Sequence, residues 1–113
     1  MKFRTEIALT PSDFRIDHST TVMMLGSCFT DNIGLWLKDM LFPSGINPLG
    51  VVYNPESVKS SLEIIMQNRP FTENDLFHHN KRYHSWYHHS SFSGERKEDV
   101  LQKINHNIRK SHV

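Results

Sequence analysis

TVMMLGSCFTDNIG, residues 21–34, is the stretch of sequence that decides the fold. It contains the apolar run 22–25, which is typical of a short buried strand. Gly26 then allows a tight turn, because glycine has no Cβ. Ser27 and Cys28 follow, and both side chains can act as nucleophiles. The order of strand, turn and nucleophile predicts a reactive group at the carboxyl end of a sheet strand.

A helical pattern follows the two nucleophiles. Apolar residues recur at near-helical spacing, and we predict a helix from about Asp31 to Leu41. Pro43 and Gly45 end that pattern. The positive end of this helix would face the turn, and a helix N-terminus favours the thiolate that a cysteine nucleophile needs.

The rest of the chain alternates in the same way. We predict a strand at 49–53, followed by a helix that is capped by Ser57 and ends near Asn68. A hairpin within residues 71–94, with its turn at 79–81, comes next, and a last helix begins at Glu95. This alternation predicts an α/β fold with a parallel sheet, and the length suits one domain over residues 1–113.

Composition narrows the class of protein. The formal charge of +1 lacks the basic excess that nucleic-acid binding requires, so we expect no nucleic-acid partner. No run of 18 apolar residues is present, and the first residues lack the apolar core of a secretory signal, so we expect no membrane association. A single cysteine suits a reducing compartment and predicts a cytoplasmic protein. We expect no cofactor.

Four short motifs resemble a known family. They are GSCFT at 26–30, NPLG at 47–50, YNP at 53–55 and WYHHS at 86–90. They resemble the GSCFA family, with Thr30 in place of the last alanine of the name-giving motif. The resemblance implies a hydrolase of the SGNH/GDSL superfamily with a flavodoxin-like three-layer sandwich. It also implies a small-molecule or glycan ester as substrate.

The resemblance also implies roles for particular residues. Laid on a GDSL block without gaps, Cys28 takes the position of the nucleophilic serine, and a shift of one residue would bring Ser27 there instead. The oxyanion hole would use backbone N–H groups around Cys28 and Phe29 and that of Gly50. The oxyanion or substrate-binding set also includes Asn47 and Asn54, although each is also a common turn residue. The alternative is that Cys28 is a buried packing residue and that Ser27 only caps the helix.

The base of an SGNH enzyme comes from an Asp-x-x-His block near its C-terminus. We find no such block after the last predicted helix. We therefore expect the chain to be the N-terminal part of an incomplete domain, inactive by itself.

Five of the eight histidines lie between residues 78 and 89. Their interleaving with aromatic residues predicts the half-buried wall of a cleft, and Trp86, His88 and His89 are assigned to substrate binding. Two alternatives stay open: a non-catalytic domain that binds a glycan or small molecule, and a histidine-rich metal-binding module. The histidine spacing matches no standard zinc pattern, so no metal ligand is assigned.

Overall fold

A computed structural model describes residues 1–112. Its elements are β1 (Val22–Met24), α1 (Cys28–Asp39), β2 (Ser44–Ile46), α2 (Pro55–Gln67), β3 (Phe77–His79), β4 (Arg82–His84) and α3 (Lys97–Ser111). The strands β1 and β2 pair in parallel, and β3 and β4 pair antiparallel. The protein is thus a small mixed α/β fold with three helices, short strands and one parallel pair among the described residues.

The first helix begins earlier than the sequence predicted. It starts at Cys28 rather than Asp31, because Ser27 supplies the cap. The side chain of Ser27 accepts a hydrogen bond from the Phe29 N–H at 3.4 Å. The helix packs on the second strand at Gly34, where an added Cβ would lie 2.6 Å from Ile46.

The predicted second strand is wrong. Residues 49–53 form no strand, and the partner of β1 is the segment Ser44–Ile46 instead. Strand formation here is set by pairing rather than by propensity, since Ser44 and Gly45 are poor strand formers. The backbone of residues 49–53 bonds elsewhere: the Val52 N–H donates to the Gly26 carbonyl at 2.9 Å.

The second helix is capped by a different residue than predicted. Asn54, not Ser57, is the N-cap, and its side chain accepts from the Ser57 N–H at 2.8 Å. Pro55 then fits the first helical position, where its missing N–H costs nothing. Asn68 ends the helix with a left-handed backbone (φ 46°), close to the predicted end.

The predicted hairpin is confirmed. Its two-residue turn is Asn80-Lys81, and both residues have positive φ, 48° and 61°. This pattern matches the twist of the strands that the turn connects. The tip of this hairpin is exposed, whereas Tyr83 bridges back to Gly94 and holds β4 against the rest of the fold.

The core lies between α2, α3 and the segments that flank the hairpin. Its buried side chains are Leu49, Ile64, Ile65, Phe71, Phe92, Val100, Ile104 and Ile108. Asn105 fastens this core by accepting from the Phe71 N–H at 2.7 Å and donating to the Phe71 carbonyl at 2.9 Å. The helical spacing of Val100, Leu101, Ile104 and Ile108 predicts one apolar face, and the structure confirms it, with three of these four side chains buried in the core.

Two further features concern the outside of the molecule. Residues 1–20 contain no helix or strand, and the side chains of Phe3, Ile7 and Leu9 are exposed. In the described part of the chain, no helix combines the length and the apolar character that crossing a bilayer demands.

Candidate functional site

The turn between β1 and α1 presents both candidate nucleophiles. Cys28 is the first residue of α1 and is exposed, so it is not the buried packing residue of the alternative interpretation. Ser27 is partly buried and caps the helix. Phe29 is 70% exposed. In the first turn of α1, the Phe29 N–H donates to Ser27 Oγ at 3.4 Å, and the Thr30 and Asp31 N–H groups donate to the Ser27 carbonyl at 2.9 and 3.3 Å. The positive end of the helix dipole, rather than free N–H groups, therefore favours negative charge beside Cys28.

Both backbone polar groups of Gly26 are hydrogen-bonded. Its N–H donates to Asn47 Oδ1 at 2.8 Å, and its carbonyl accepts from the Val52 N–H at 2.9 Å. A Cβ at this position would lie 2.3 Å from Thr30 Oγ1. Glycine is thus required here by the close approach of Thr30, and its backbone φ is not in the left-handed region.

Asn47 lies beneath the turn rather than in an open pocket. It is 8% exposed, and its Nδ2 donates to the carboxylate of Asp31 at 2.6 Å. Its amide oxygen accepts from the Gly26 N–H, and the role of Asn47 in the oxyanion hole stays a prediction.

The backbone of Gly50 is also hydrogen-bonded within the fold, and its role in the oxyanion hole stays a prediction. Its N–H donates to the Asn47 carbonyl at 2.8 Å. Its φ of +92° is left-handed, and a Cβ here would lie 2.2 Å from the Cβ of His89. The adjacent Leu49 carbonyl accepts from the His89 N–H at 2.9 Å. Gly50 therefore allows the loop that follows β2 to pack closely against the segment that contains His88 and His89.

A cavity of about 320 Å³ opens where these two segments meet. Of the predicted site residues, Asn54, Trp86, His88 and His89 line it. The lining residues outside the predicted set of site residues are Leu49, Val51, Val52, Tyr53, Glu56, Ser57, Ser60, Ser61 and Tyr87. Ser27 and Cys28 are not among the lining residues, but Val52 both lines the cavity and binds the residue before Ser27. The turn and the cavity are therefore neighbours.

His88 is a part-buried titratable group of this cavity. Its ring packs edge-on against Phe71, with 4.9 Å between ring centroids, and lies 5.2 Å from that of Phe92. Its Nδ1 is 3.1 Å from Ser85 Oγ, and its buried Nε2 has no partner among residues 1–112. Burial lowers the pKa of His88 to about 4, so its imidazole is neutral at physiological pH.

Exposed aromatic rings stand at the rim of the same cavity. Trp86 is 82% exposed and Tyr53 is 75% exposed. The indole of Trp86 is backed by the ring of Phe77, with centroids 4.4 Å apart and nearly parallel planes. Tyr53 could have been found from the sequence only through its position beside the start of the second helix, since a lone tyrosine in a loop is a weak signal.

The remaining histidines are not gathered into a metal site. Among residues 1–112, no group of three or more His, Cys, Asp or Glu side chains is arranged to hold a metal ion. Both ring nitrogens of His84 are engaged, one with Ser93 Oγ at 2.8 Å and the other with the His79 carbonyl at 3.1 Å. His89 Nδ1 accepts from the Ser91 N–H at 3.2 Å.

One Asp-x-x-His spacing does occur in the sequence, at Asp75-Leu76-Phe77-His78. Asp75 pairs with Arg69 at 3.0 Å and accepts from the Thr72 N–H at 2.8 Å. His78 is exposed on β3, and neither Asp75 nor His78 lines the cavity. This spacing therefore belongs to the hairpin and its preceding turn, and it does not supply a base to Cys28.

Comparison with known proteins gives a family. No curated protein and no solved structure shows significant similarity to the chain. Residues 21–113, which include the turn, the cavity and all three helices, match the model of the GSCFA family. The chain therefore belongs to the GSCFA family.

Proposed function

We propose that this chain carries the nucleophile of an SGNH/GDSL-like hydrolase that cleaves an acyl ester, with Cys28 as that nucleophile. One observation carries the proposal: Cys28 is exposed in the first turn of α1, directly after a strand that pairs in parallel. This is the position at which α/β enzymes with open sheets bind and act on their ligands. Ser27 is less suited, because its oxygen caps the helix.

The chemistry at this position has two steps. The Cys28 thiol releases its proton to solvent, and the thiolate attacks the ester carbonyl to form a bond between Sγ and carbon. The positive end of the α1 dipole stabilises the resulting oxyanion. The carbon–oxygen bond to the alcohol breaks, and the alkoxide takes up a proton from solvent. Water then attacks the thioester, releasing the acid and restoring the thiolate.

The acyl or alcohol part of the substrate would occupy the neighbouring cavity. Its wall offers apolar contact from Leu49 and Val51, together with the polar side chains of Asn54, Ser57 and Ser60. A pocket of this size and mixed character fits a small ester rather than a polymer chain. His88 keeps a neutral ring in the wall, so the cavity gains no positive charge there at neutral pH.

Labelling of the nucleophile tests the proposal. The chain is incubated with cysteine- and serine-directed acyl probes, and turnover of p-nitrophenyl acetate is followed in parallel. Cys28→Ala is expected to abolish labelling, whereas Ser27→Ala is expected to retain it with about 1 kcal/mol lower stability from the lost cap. Labelling that survives Cys28→Ala would contradict the assignment.

A second candidate function is binding of a glycan without turnover. The exposed rings of Trp86 and Tyr53 at the cavity rim favour it, because flat aromatic faces stack on sugar rings. This alternative predicts saturable binding of a mono- or disaccharide that Trp86→Ala weakens and Cys28→Ala leaves unchanged. Detectable ester turnover that depends on Cys28 would exclude it.

A further inference from the structure

We propose that Asn47 is a positioning residue for Cys28, acting through a hydrogen-bonded bridge from Gly26 to Asp31. The inference rests on the proposed function only in taking Cys28 as the reactive group. It assigns Asn47 no contact with the substrate. The side-chain amide holds the turn before Cys28 and the helix after it at a fixed mutual angle.

Every backbone polar group of Asn47, and both ends of its amide, are engaged. The Asn47 N–H donates to the Met24 carbonyl at 2.9 Å, and its carbonyl accepts from the Gly50 N–H at 2.8 Å. In the side chain, Oδ1 accepts from the Gly26 N–H at 2.8 Å and Nδ2 donates to Asp31 at 2.6 Å. One buried residue thus joins the end of β1, the turn, α1 and the loop beside the cavity.

The bridge spans the reactive residue. Ser27 and Cys28 lie between its two anchors, Gly26 and Asp31, in the sequence. Asp31 follows Cys28 by three positions, so both lie on the same side of the helix. Fixing the Asp31 carboxylate therefore fixes the rotation of α1 and, with it, the direction in which Cys28 projects.

The bridge requires an amide. Gly26 needs an acceptor and Asp31 needs a donor, and asparagine offers both on one short, rigid group. Aspartate would place a second carboxylate against Asp31, and an apolar residue would leave the buried Gly26 N–H unpaired. The left-handed backbone of Asn47 (φ 40°) also favours asparagine over most residues.

Exchanging the two bridging residues tests the inference. In the double variant Asn47→Asp with Asp31→Asn, the new carboxylate at 47 accepts from Gly26 and from the new amide at 31, so both hydrogen bonds are restored. The readout is the rate at which iodoacetamide alkylates the full chain. Since Cys28 is the only cysteine, this rate reports that residue alone. Thermal unfolding of each variant shows that the rates are compared on folded protein.

We expect Asn47→Asp to slow alkylation about tenfold, because the loosened turn no longer holds Cys28 at the positive end of the α1 dipole. The double variant should return to within about twofold of the native rate. A double variant that stays as slow as Asn47→Asp, or equal rates in all variants, overturns the inference. Should Asn47→Asp not fold, Asp31→Ala decides, since it breaks one end of the bridge only: slower alkylation supports the inference and an unchanged rate overturns it.

Failure of the proposed function gives a different result. If acyl probes leave Cys28 unlabelled while the exchange restores the alkylation rate, the positioning inference stands and the hydrolase proposal does not. If ester turnover depends on Cys28 while alkylation is insensitive to the bridge, the reverse holds.

Discussion

Helices α1 and α3 carry similar apolar patterns in sequence, yet the fold uses them differently. The last helix buries Val100, Ile104 and Ile108 in the core. The first helix buries only Gly34, and its Trp36 is 58% exposed. The first helix is held instead by hydrogen bonds at its N-terminus and by contact with β2. The candidate nucleophile therefore lies in the part of the fold that the apolar core stabilises least, where changes to the site have the smallest effect on folding.

The largest effect should come from the same substitution made in each helix. Ile104 is 0% exposed, so Ile104→Ala leaves a cavity and should lower the free energy of unfolding by about 2–5 kcal/mol. Ile33 in α1 is 37% exposed, so Ile33→Ala should cost less than about 1 kcal/mol. Urea denaturation measures both values. Equal losses would show that α1 is as tightly packed as α3.

Protonation of His88, whose ring packs beside the core residues Phe71 and Phe92, should lower the free energy of unfolding by nearly the same amount. Burial lowers the pKa of His88 from 6.5 to about 4, so the unfolded chain binds a proton more readily than the folded one. Stability is therefore unaffected above pH 6.5 and falls as the pH drops from 6.5 towards 4, by about 3 kcal/mol in all. Unfolding measured across this range should show the decline.

His88→Phe provides the control for this prediction. It keeps an aromatic ring between Phe71 and Phe92 but removes the titrating group. Its stability should change much less than that of the native chain between pH 6.5 and 4. An identical decline in both proteins would assign the acid sensitivity to other groups.

The same contrast explains what the sequence could predict. The apolar face of α3 depends on local periodicity, and the structure confirms it. In α2 the same periodicity predicted a stripe of Val58, Leu62, Ile65 and Met66, but the structure buries Ser61, Ile64 and Ile65 and exposes Leu62 and Met66. The hairpin turn Asn80-Lys81 was also local in origin. The second strand was misplaced because Ser44 and Gly45 become a strand only by pairing with β1, a tertiary effect that propensity does not contain.

The candidate site was predictable in part for the same reason. The motif placed Ser27 and Cys28 before a helix, and in the structure Ser27 is the N-cap of α1 and Cys28 is its first residue. The engagement of Gly50 and Asn47 in internal hydrogen bonds was not predictable, because it depends on where two loops meet. The assignments of Trp86, His88 and His89 to substrate binding remain predictions, although all three line the cavity.

The contact between Gly50, in the loop after β2, and His89, in the segment before α3, offers a third test. Gly50→Ala forces a side chain into a left-handed backbone and against His89, and it should cost about 2 kcal/mol. Gly45→Ala is the matched control, since no atom lies within 4 Å of its added Cβ, and it should cost nothing measurable. Thermal unfolding compares the two. Equal stability of both variants would mean that the close contact between Gly50 and His89 does not contribute to the stability of the fold.

The smallest effect separates two candidate caps of α2, the helix that joins the cavity to the core. Asn54 accepts from the Ser57 N–H, so Asn54→Ala leaves a first-turn N–H without its partner and should cost about 1 kcal/mol. Ser57→Ala keeps that backbone N–H and its acceptor, so it should change stability by less than about 0.5 kcal/mol. Urea denaturation resolves this difference. A larger loss of stability for Ser57→Ala than for Asn54→Ala would show that Ser57 is the N-cap, as the sequence pattern predicted. The helix would then begin three residues later, further from the cavity rim at Tyr53.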